Sequence, residues 1–135
     1  MIALEDFLGA VRSCIGTPVV HMGRTPGKAI DCVGLPWAAC NMLGMGLEST
    51  RTYNALPSAE DMANGLAAYC DEVESGGHLW QVFVGSQARH IVIPSGVNEC
   101  GQQLVIHAWG HGRRQVCQTV FDRRVARRWN IRGVA

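Results

Sequence analysis

The spacing of hydrophobic and polar residues divides the chain into a helical first half and a strand-rich second half. Over residues 3–15 the apolar side chains recur every three or four positions and Gly16 follows, which predicts an amphipathic helix. Ser58 to Asp61 resembles a capping box, and the apolar spacing after it predicts another helix that continues to about Val73. Both helices are expected to pack one face against a core.

From Gly77 onward the chain consists of short apolar runs bounded by Gly, Ser or Asn, a pattern typical of strands. The predicted strands are 78–84, 89–94, 103–108 and 115–120. Residues 121–128 predict a last short helix, and residues 129–132 predict a final strand. This order indicates an α+β fold, in which N-terminal helices pack on a C-terminal antiparallel sheet of about five strands.

Length and composition indicate one domain that spans residues 1–135. The chain is 47% hydrophobic and 17% charged, with a net charge of +1, which is typical of a globular protein that buries a substantial core. The N-terminus is acidic where a signal peptide would be basic, and no apolar run approaches the roughly 20 residues needed to cross a bilayer. The sequence therefore predicts a protein that is made and kept in the cytoplasm unless something else carries it out, without membrane insertion.

The cysteines are scattered along the chain, whereas the basic residues are concentrated near its end. The six cysteines are scattered and form no Cys-x-x-Cys pair, so most of them are expected to be reduced core residues. Seven of the twelve basic residues lie in the last quarter: Arg113, Arg114, Arg123, Arg124, Arg127, Arg128 and Arg132. A cationic end can face a polyanion, but a solvated flank explains it without a partner, and no basic motif interleaved with aromatic residues is present. Nucleic acid is therefore not the expected partner.

Cys32 is the candidate nucleophile. Residues 32–43 predict an apolar helix, with Asp31 placed to cap its start and Gly44 to end it. A cysteine in the first turn lies at the positive end of the helix dipole, which favours the thiolate. Residues 16–28 are rich in Gly and Pro and predict a loop that lines the cleft beside it. The alternative is that Cys32 is a small buried residue, the commoner fate of a free cysteine.

Two histidines are candidates for the base and its orienting partner. The segments 89–94 and 103–108 can pair as a hairpin, and a symmetric register places Val92 opposite Val105 and His90 opposite His107. Directly opposed side chains share a face, so the imidazoles would stand side by side. Taken singly, each histidine is more often a structural residue. His107 and His111 also have the spacing of some zinc ligands, but a strand that runs into a glycine turn does not suit that interval, and no metal is predicted.

These residues together resemble the NlpC/P60 cysteine peptidases, and most of all the branch found in phage tails and gene transfer agents. The similarity lies in five stretches, which are residues 16–27, the Asp-Cys-Val-Gly-Leu box at 31–35, and residues 77–79, 89–93 and 106–108. It covers nearly the whole chain in the same order. The box around the cysteine is fairly specific, whereas the histidine segments alone would be weak.

The resemblance implies a compact papain-like fold that cleaves stem peptides of peptidoglycan, typically between γ-D-glutamate and a diamino acid, without metal or organic cofactor. Cys32 matches the nucleophile, His90 the base and His107 the third polar residue. Asp31 matches a position that meets the free amine of the stem peptide in some members, although a helix cap explains it equally. His21 and Val92 fall in the segments that line the substrate cleft. The implied partners are the peptidoglycan stem peptide and other phage-tail proteins, and the implied location is a virion or gene-transfer-agent tail that acts on the bacterial cell wall.

The chain also departs from the family pattern. Val19 stands where many members have an aromatic residue after Gly-Thr-Pro, and His78 stands where they have aspartate. Val92 replaces a glycine and is expected to narrow the cleft, while Pro36 removes a backbone donor early in the cysteine helix. A second hypothesis is therefore a structural tail-assembly module of the same fold with little or no activity.

Overall fold

The computed structural model describes residues 1–48, 53, 57–110, 112 and 114–135, and three helices and eight strands lie in this part of the chain. The helices are α1 (Leu4–Ser13), α2 (Gly34–Met42) and α3 (Ala59–Ala67). The strands are β1 (Arg24–Thr25), β2 (Ala29–Ile30), β3 (Cys70–Val73), β4 (Leu79–Val84), β5 (Gln87–Val97), β6 (Gln103–Ala108), β7 (Val116–Val120) and β8 (Val125–Ile131). None of the described helices is both long and apolar enough to cross a membrane.

The strands form one large and one small sheet. The large sheet has six antiparallel strands in the order β3-β8-β4-β5-β6-β7, and β1 pairs with β2 in a short hairpin. This confirms the α+β class, with six strands in the main sheet where about five were expected. The hairpin lies within and beside the segment expected to be a loop, and it delivers the chain directly to Asp31.

One predicted helix is shorter than expected at its C-terminal end, and another is not formed at all. The third helix ends at Ala67, and the residues expected to prolong it form β3, where the buried Cys70 lies opposite Ile131 of β8. The expected helix at 121–128 is absent, because Val125–Ile131 forms strand β8, which lies between β3 and β4 in the sheet. In both places strand pairing across a long sequence separation outweighs local helix preference.

The sheet carries an apolar cluster on each face. The larger cluster joins the helices to residues such as Leu79, Ile91, Ile93 and Ile106. Strand neighbours alternate between faces, so the smaller cluster of Val82, Val92 and Val105 lies on the opposite side, where Trp80, Phe121 and Val125 pack against it.

The β5–β6 register differs by two residues from the expected one. Pro94 lies opposite Val105, and a β-bulge at the next position brings Val97 opposite Gln103. The cause is the turn, in which the Asn98 side chain accepts backbone N–H groups of Cys100 and Gln102, so that β5 runs on to Val97. A two-residue shift keeps every side chain on its face, and His90 and His107 become diagonal neighbours.

A fully buried glutamine joins three distant parts of the chain. Gln81 Nε2 donates to the carbonyl oxygens of Ala59 and Ala88, each at 2.9 Å, and Gln81 Oε1 accepts from Trp129 Nε1 at 3.2 Å. The first bond fixes the start of α3 against β4, next to the segment that carries Pro57 to the cleft.

Candidate active site

Asp31 caps α2, as its sequence position predicts. Its Oδ1 accepts the N–H of Gly34 at 2.7 Å, and its backbone oxygen accepts the N–H of Leu35 at 3.0 Å. The helix was expected to begin at Cys32 but begins at Gly34, so Cys32 lies in the turn two residues before its first helical residue. Pro36 lies in the first turn of α2 and supplies no backbone N–H there, whereas its neighbour Leu35 already bonds to the carbonyl four residues earlier.

The Asp31 carboxylate is fully occupied by donors from three segments. Oδ1 also accepts from Arg24 Nη1 at 2.9 Å, and Oδ2 accepts the N–H of Met22 at 2.8 Å and the hydroxyl of Tyr53. A carboxylate has about four acceptor positions, and here all four are filled. Asp31 thus holds the loop and the helix together, and a substrate amine could reach it only by displacing one of these donors.

The glycine of the cysteine box has a steric reason. A Cβ atom at Gly34 would lie 2.4 Å from the carbonyl oxygen of Gly23 and 2.7 Å from Arg24 Nη1. Only glycine allows the β1–β2 hairpin to approach the start of α2 this closely, so Gly34 is required for the Arg24–Asp31 contact.

The Cys32 side chain lies where β5 and β6 part. The paired residues of these strands end at Ile93 and Ile106, and the backbone of Ile91, two residues before Ile93, forms a hydrogen bond with the thiol. Cys32 also packs against the main cluster. Cys32 and His90 belong to different elements, the start of α2 and β5, and both line the same cavity.

The two histidines form a relay that continues to a threonine. His90 Nε2 lies 2.8 Å from His107 Nδ1, and His107 Nε2 lies 3.0 Å from Thr119 Oγ1. If each ring carries its proton on Nε2, His90 donates to His107 and His107 donates to Thr119. That tautomer leaves His90 Nδ1 as the acceptor for the thiol proton. The two imidazoles stand side by side as expected, although their residues are not directly opposite each other, and the contact with Thr119 was not predicted.

Trp109 covers the histidine pair. Its ring centroid lies 4.9 Å from that of His90 and 5.8 Å from that of His107, and the Arg123 guanidinium lies 4.4 Å from the Trp109 ring centroid. Burial, followed by the charges of His107 and Arg123, lowers the pKa of His90 to about 3. Burial and Arg123 lower the pKa of His107 to about 4, against a smaller effect of Asp122.

The thiol is protonated at neutral pH, contrary to the sequence-based expectation of a favoured thiolate. Burial and then the charge of Asp31 raise the pKa of Cys32 to about 12, whereas the backbone bond from Ile91 and the charge of Arg24 act in the opposite direction. The expectation rested on favourable charge near the helix start, and the loss of solvent around the thiol outweighs it. The resting site therefore holds a neutral thiol and two neutral imidazoles.

Cys32 and His90 line one cleft of about 210 Å³. Its other described lining residues are Val19, His21, Asp31, Tyr53, Pro57, Val84, Arg89, Ala108, Trp109 and Gly110. His21 is exposed there, and its ring meets the edge of Tyr53 at a centroid distance of 5.2 Å. Tyr53, Arg89 and Trp109 were not singled out from the sequence, because no local pattern distinguishes them from ordinary surface or core residues.

Val92 does not take the place expected for it. It is 1% exposed within the smaller cluster and is not among the described residues that line the cleft, so it does not narrow it. His78 accepts the backbone N–H of Ile131 at its Nδ1, which is a structural role. His111, which has the spacing of a zinc ligand relative to His107, lies outside the described residues. Both ring nitrogens of His107 are within hydrogen-bond distance of other side chains. None of the six cysteines, all of which lie in the described part of the chain, forms a disulfide bond.

Comparison with known proteins finds no protein-family model that matches the chain and no match among curated protein sequences.

Proposed function

We propose that this protein is a cysteine peptidase that hydrolyses amide bonds in the stem peptides of peptidoglycan. The observation that supports it is the arrangement of a helix-start cysteine and a histidine in one cleft, with that histidine held by a second histidine at 2.8 Å. A thiol, a base within the same cleft and a group that fixes the base's tautomer are the parts that nucleophilic acyl transfer requires.

The neutral site indicates that proton transfer accompanies attack. His90 Nδ1 takes the Cys32 proton as the sulfur bonds to the amide carbon, because a separated thiolate and imidazolium would be disfavoured by burial. His90 then gives that proton to the leaving amine, which departs and leaves an acyl-enzyme. Water, deprotonated by His90, attacks the thioester and restores the thiol. The backbone N–H of Cys32 is the candidate donor to the oxyanion.

His107 and Thr119 act on His90 and not on the substrate. A neutral imidazole holds the ring of His90 through one hydrogen bond but stabilises an imidazolium less than a carboxylate would. No step requires a metal or an organic cofactor.

The choice of peptidoglycan and the place of action come from the resemblance at residues 16–35, 77–79, 89–93 and 106–108. The proposed protein is made in the bacterial cytoplasm, joins other phage-tail or gene-transfer-agent proteins, and opens the cell wall locally. The γ-D-glutamyl bond to a diamino acid is the proposed point of cleavage.

Digestion of purified peptidoglycan tests the proposal. Wild-type protein should release peptides whose masses identify one cleaved bond, and Cys32→Ala should release none. His90→Ala should also be inactive, while His107→Ala should retain some turnover, since water can replace an orienting group in part. Activity retained in Cys32→Ala would rule out the thiol mechanism.

A second candidate is a tail-assembly module of the same fold with little activity. The raised pKa of Cys32 favours it, because a protonated thiol is a poor nucleophile without efficient base catalysis. This candidate predicts no released peptides from wild-type protein, together with unchanged incorporation of Cys32→Ala protein into tails.

A further inference from the structure

Arg89 is a cleft residue that the mechanism does not use. It directly precedes His90 in β5 and lines the same cavity, and its Nε atom is buried without a hydrogen-bond partner. The ion pairs among the described residues use Arg24, Arg127 and Arg132, so no carboxylate there neutralises Arg89. A buried donor without an acceptor is costly, and native structures keep one where a ligand or water completes it.

Arg24, which contacts two cleft-lining residues but does not itself line the cleft, differs from Arg89. It bonds to Asp31, Gly23 and Tyr53, and its charge is matched by the Asp31 carboxylate. Asp31 is the acidic residue among the described cleft-lining residues, and its acceptor positions are filled. The cleft therefore keeps one guanidinium with no anion beside it, which makes it attractive to an anionic ligand.

The rest of the wall limits which anion fits. Val19, Pro57, Val84 and Ala108 present apolar surface, and the cavity of 210 Å³ is below the usual size of clefts for drug-sized ligands, so it suits a short group. The planar fork of arginine matches a carboxylate through two parallel hydrogen bonds. A short aliphatic chain that carries a carboxylate satisfies both the apolar wall and Arg89.

We propose that Arg89 is the carboxylate-binding residue of the cleft and selects acyl substrates that carry a free carboxylate near the carbonyl attacked by Cys32. This rests on the proposed function. In a peptide linked through the side chain of glutamate, the free main-chain carboxylate is such a group, and a stem in which that group is amidated lacks it.

Thiol reagents in matched pairs test the site without any need for peptidase activity. The pairs are iodoacetate and iodoacetamide, N-iodoacetylglycine and its amide, and N-iodoacetyl-β-alanine and its amide, which place the carboxylate at increasing distances from the sulfur. The rate of Cys32 modification is followed over hours at pH 8.5 by peptide mass mapping. For each pair, the ratio of the acid rate to the amide rate at Cys32 is divided by the same ratio measured with N-acetylcysteine methylamide in solution, which corrects for the intrinsic reactivity of the reagents.

We expect at least one acid to be favoured at Cys32 about tenfold in wild-type protein, and Arg89→Gln to remove that preference. Arg124→Gln, which deletes an exposed arginine outside the described cleft lining, should keep it. The amide rates report whether each variant remains folded around Cys32. Equal ratios in wild type and Arg89→Gln, or no modification of wild-type Cys32 by any reagent, would overturn the proposal.

Peptidoglycan digestion separates this inference from the proposed function. An Arg89-dependent acid preference without released peptides would support the carboxylate site and contradict the peptidase function. Cleavage that is equally fast on amidated and non-amidated stems would support the peptidase function and contradict the carboxylate site. Cleavage restricted to non-amidated stems, and relaxed in Arg89→Gln, would support both.

Discussion

The Asp31 carboxylate makes an unusually large number of polar contacts for one side chain. A buried carboxylate that accepts from Arg24, Tyr53 and two backbone N–H groups loses its compensation if any of them is removed. The same residue that starts the helix also fixes the hairpin next to the cleft. Asp31 is therefore a stability determinant first, whatever its contact with substrate.

We expect Asp31→Asn to lower the free energy of unfolding by about 3 kcal/mol, because it leaves Arg24 partly buried without a countercharge. Urea unfolding monitored by circular dichroism measures it. The matched control is Glu72→Gln, which breaks the exposed ion pair with Arg127 and should cost at most about 1 kcal/mol. Similar losses in both variants would show that the Asp31 network contributes no more than a surface pair.

Thr119 should act on catalysis through His107. Thr119→Val keeps the shape but removes the hydroxyl that His107 Nε2 contacts at 3.0 Å, and we expect kcat to fall about tenfold with KM nearly unchanged. Thr119→Ser should keep most of the activity, since it keeps the oxygen. Steady-state kinetics on a purified stem peptide gives both constants. A large rise in KM with constant kcat would place Thr119 in substrate binding instead.

Strands β5 and β6 show how an element carries the site. The bulge and the longer β5 displace the register by two residues, yet the histidines remain on one face because strand side chains repeat every two positions. The two strands hold His90 and His107 as buried neutral rings, with pKa values lowered by burial. Their contribution to stability must therefore depend on pH.

Acid should destabilise the fold through these histidines. Their pKa values are near 6.5 in the unfolded chain and about 3 and 4 in the folded one, so between these values the unfolded chain binds more protons. Their contribution is complete above pH 6.5 and is lost as the pH falls. Between pH 6.5 and 5 we expect His107→Asn to lose about 2 kcal/mol less stability than wild type in urea titrations. Parallel losses in the two proteins would contradict the buried neutral state.

The sequence predicted those parts of the fold in which local pattern and tertiary pairing agree. The strands 103–108 and 115–120 and the first helix were found because their apolar periods match their burial. β3 and the first part of β8 were missed, whereas the final strand expected at 129–132 overlaps the end of β8. The pairing of residues 70–73 with residues 128–131 spans a long sequence separation, and the arginines on β8 hide its strand pattern. On β8, Arg127 and Arg128 stack on Trp129 and Trp80, contacts that no local pattern reveals.

The sequence predicted which cysteine and histidines meet in the candidate site, but it did not predict the residues around them. Cys32, His90 and His107 have residue types and neighbours that indicate their chemistry. Thr119 and Arg89 gain their significance only from distance and burial in the folded chain. The pKa of Cys32 was misjudged for the same reason, since burial is a property of the packed molecule.

At the scale of the whole molecule, the sheet separates two clusters of different size. Val92 belongs to the smaller cluster, away from α2 and outside the described cleft lining, whereas Ile93 next to it belongs to the larger one. Substitutions at these adjacent positions therefore report on different halves of the molecule.

We expect Val92→Ala to lower the free energy of unfolding by about 2 kcal/mol through the cavity it leaves, with KM unchanged. Val97→Ala, at a position that is 62% exposed on the same strand, should stay within about 0.5 kcal/mol of wild type. Urea unfolding and peptide kinetics are the measurements. A changed KM in Val92→Ala would contradict the placement of this residue outside the cleft.

Gln81 has a consequence for the time course of folding. Its three partners lie 22, 7 and 48 residues away in sequence, so its amide can be satisfied only after α3, β5 and β8 have all reached β4. Contacts that depend on several long-range closures form late, beyond the transition state. We expect Gln81→Leu to raise the unfolding rate at least tenfold and to change the refolding rate less than twofold in stopped-flow denaturant jumps. A slowed refolding rate would mean that this amide belongs to the folding nucleus; otherwise it governs how long the folded molecule persists before it opens.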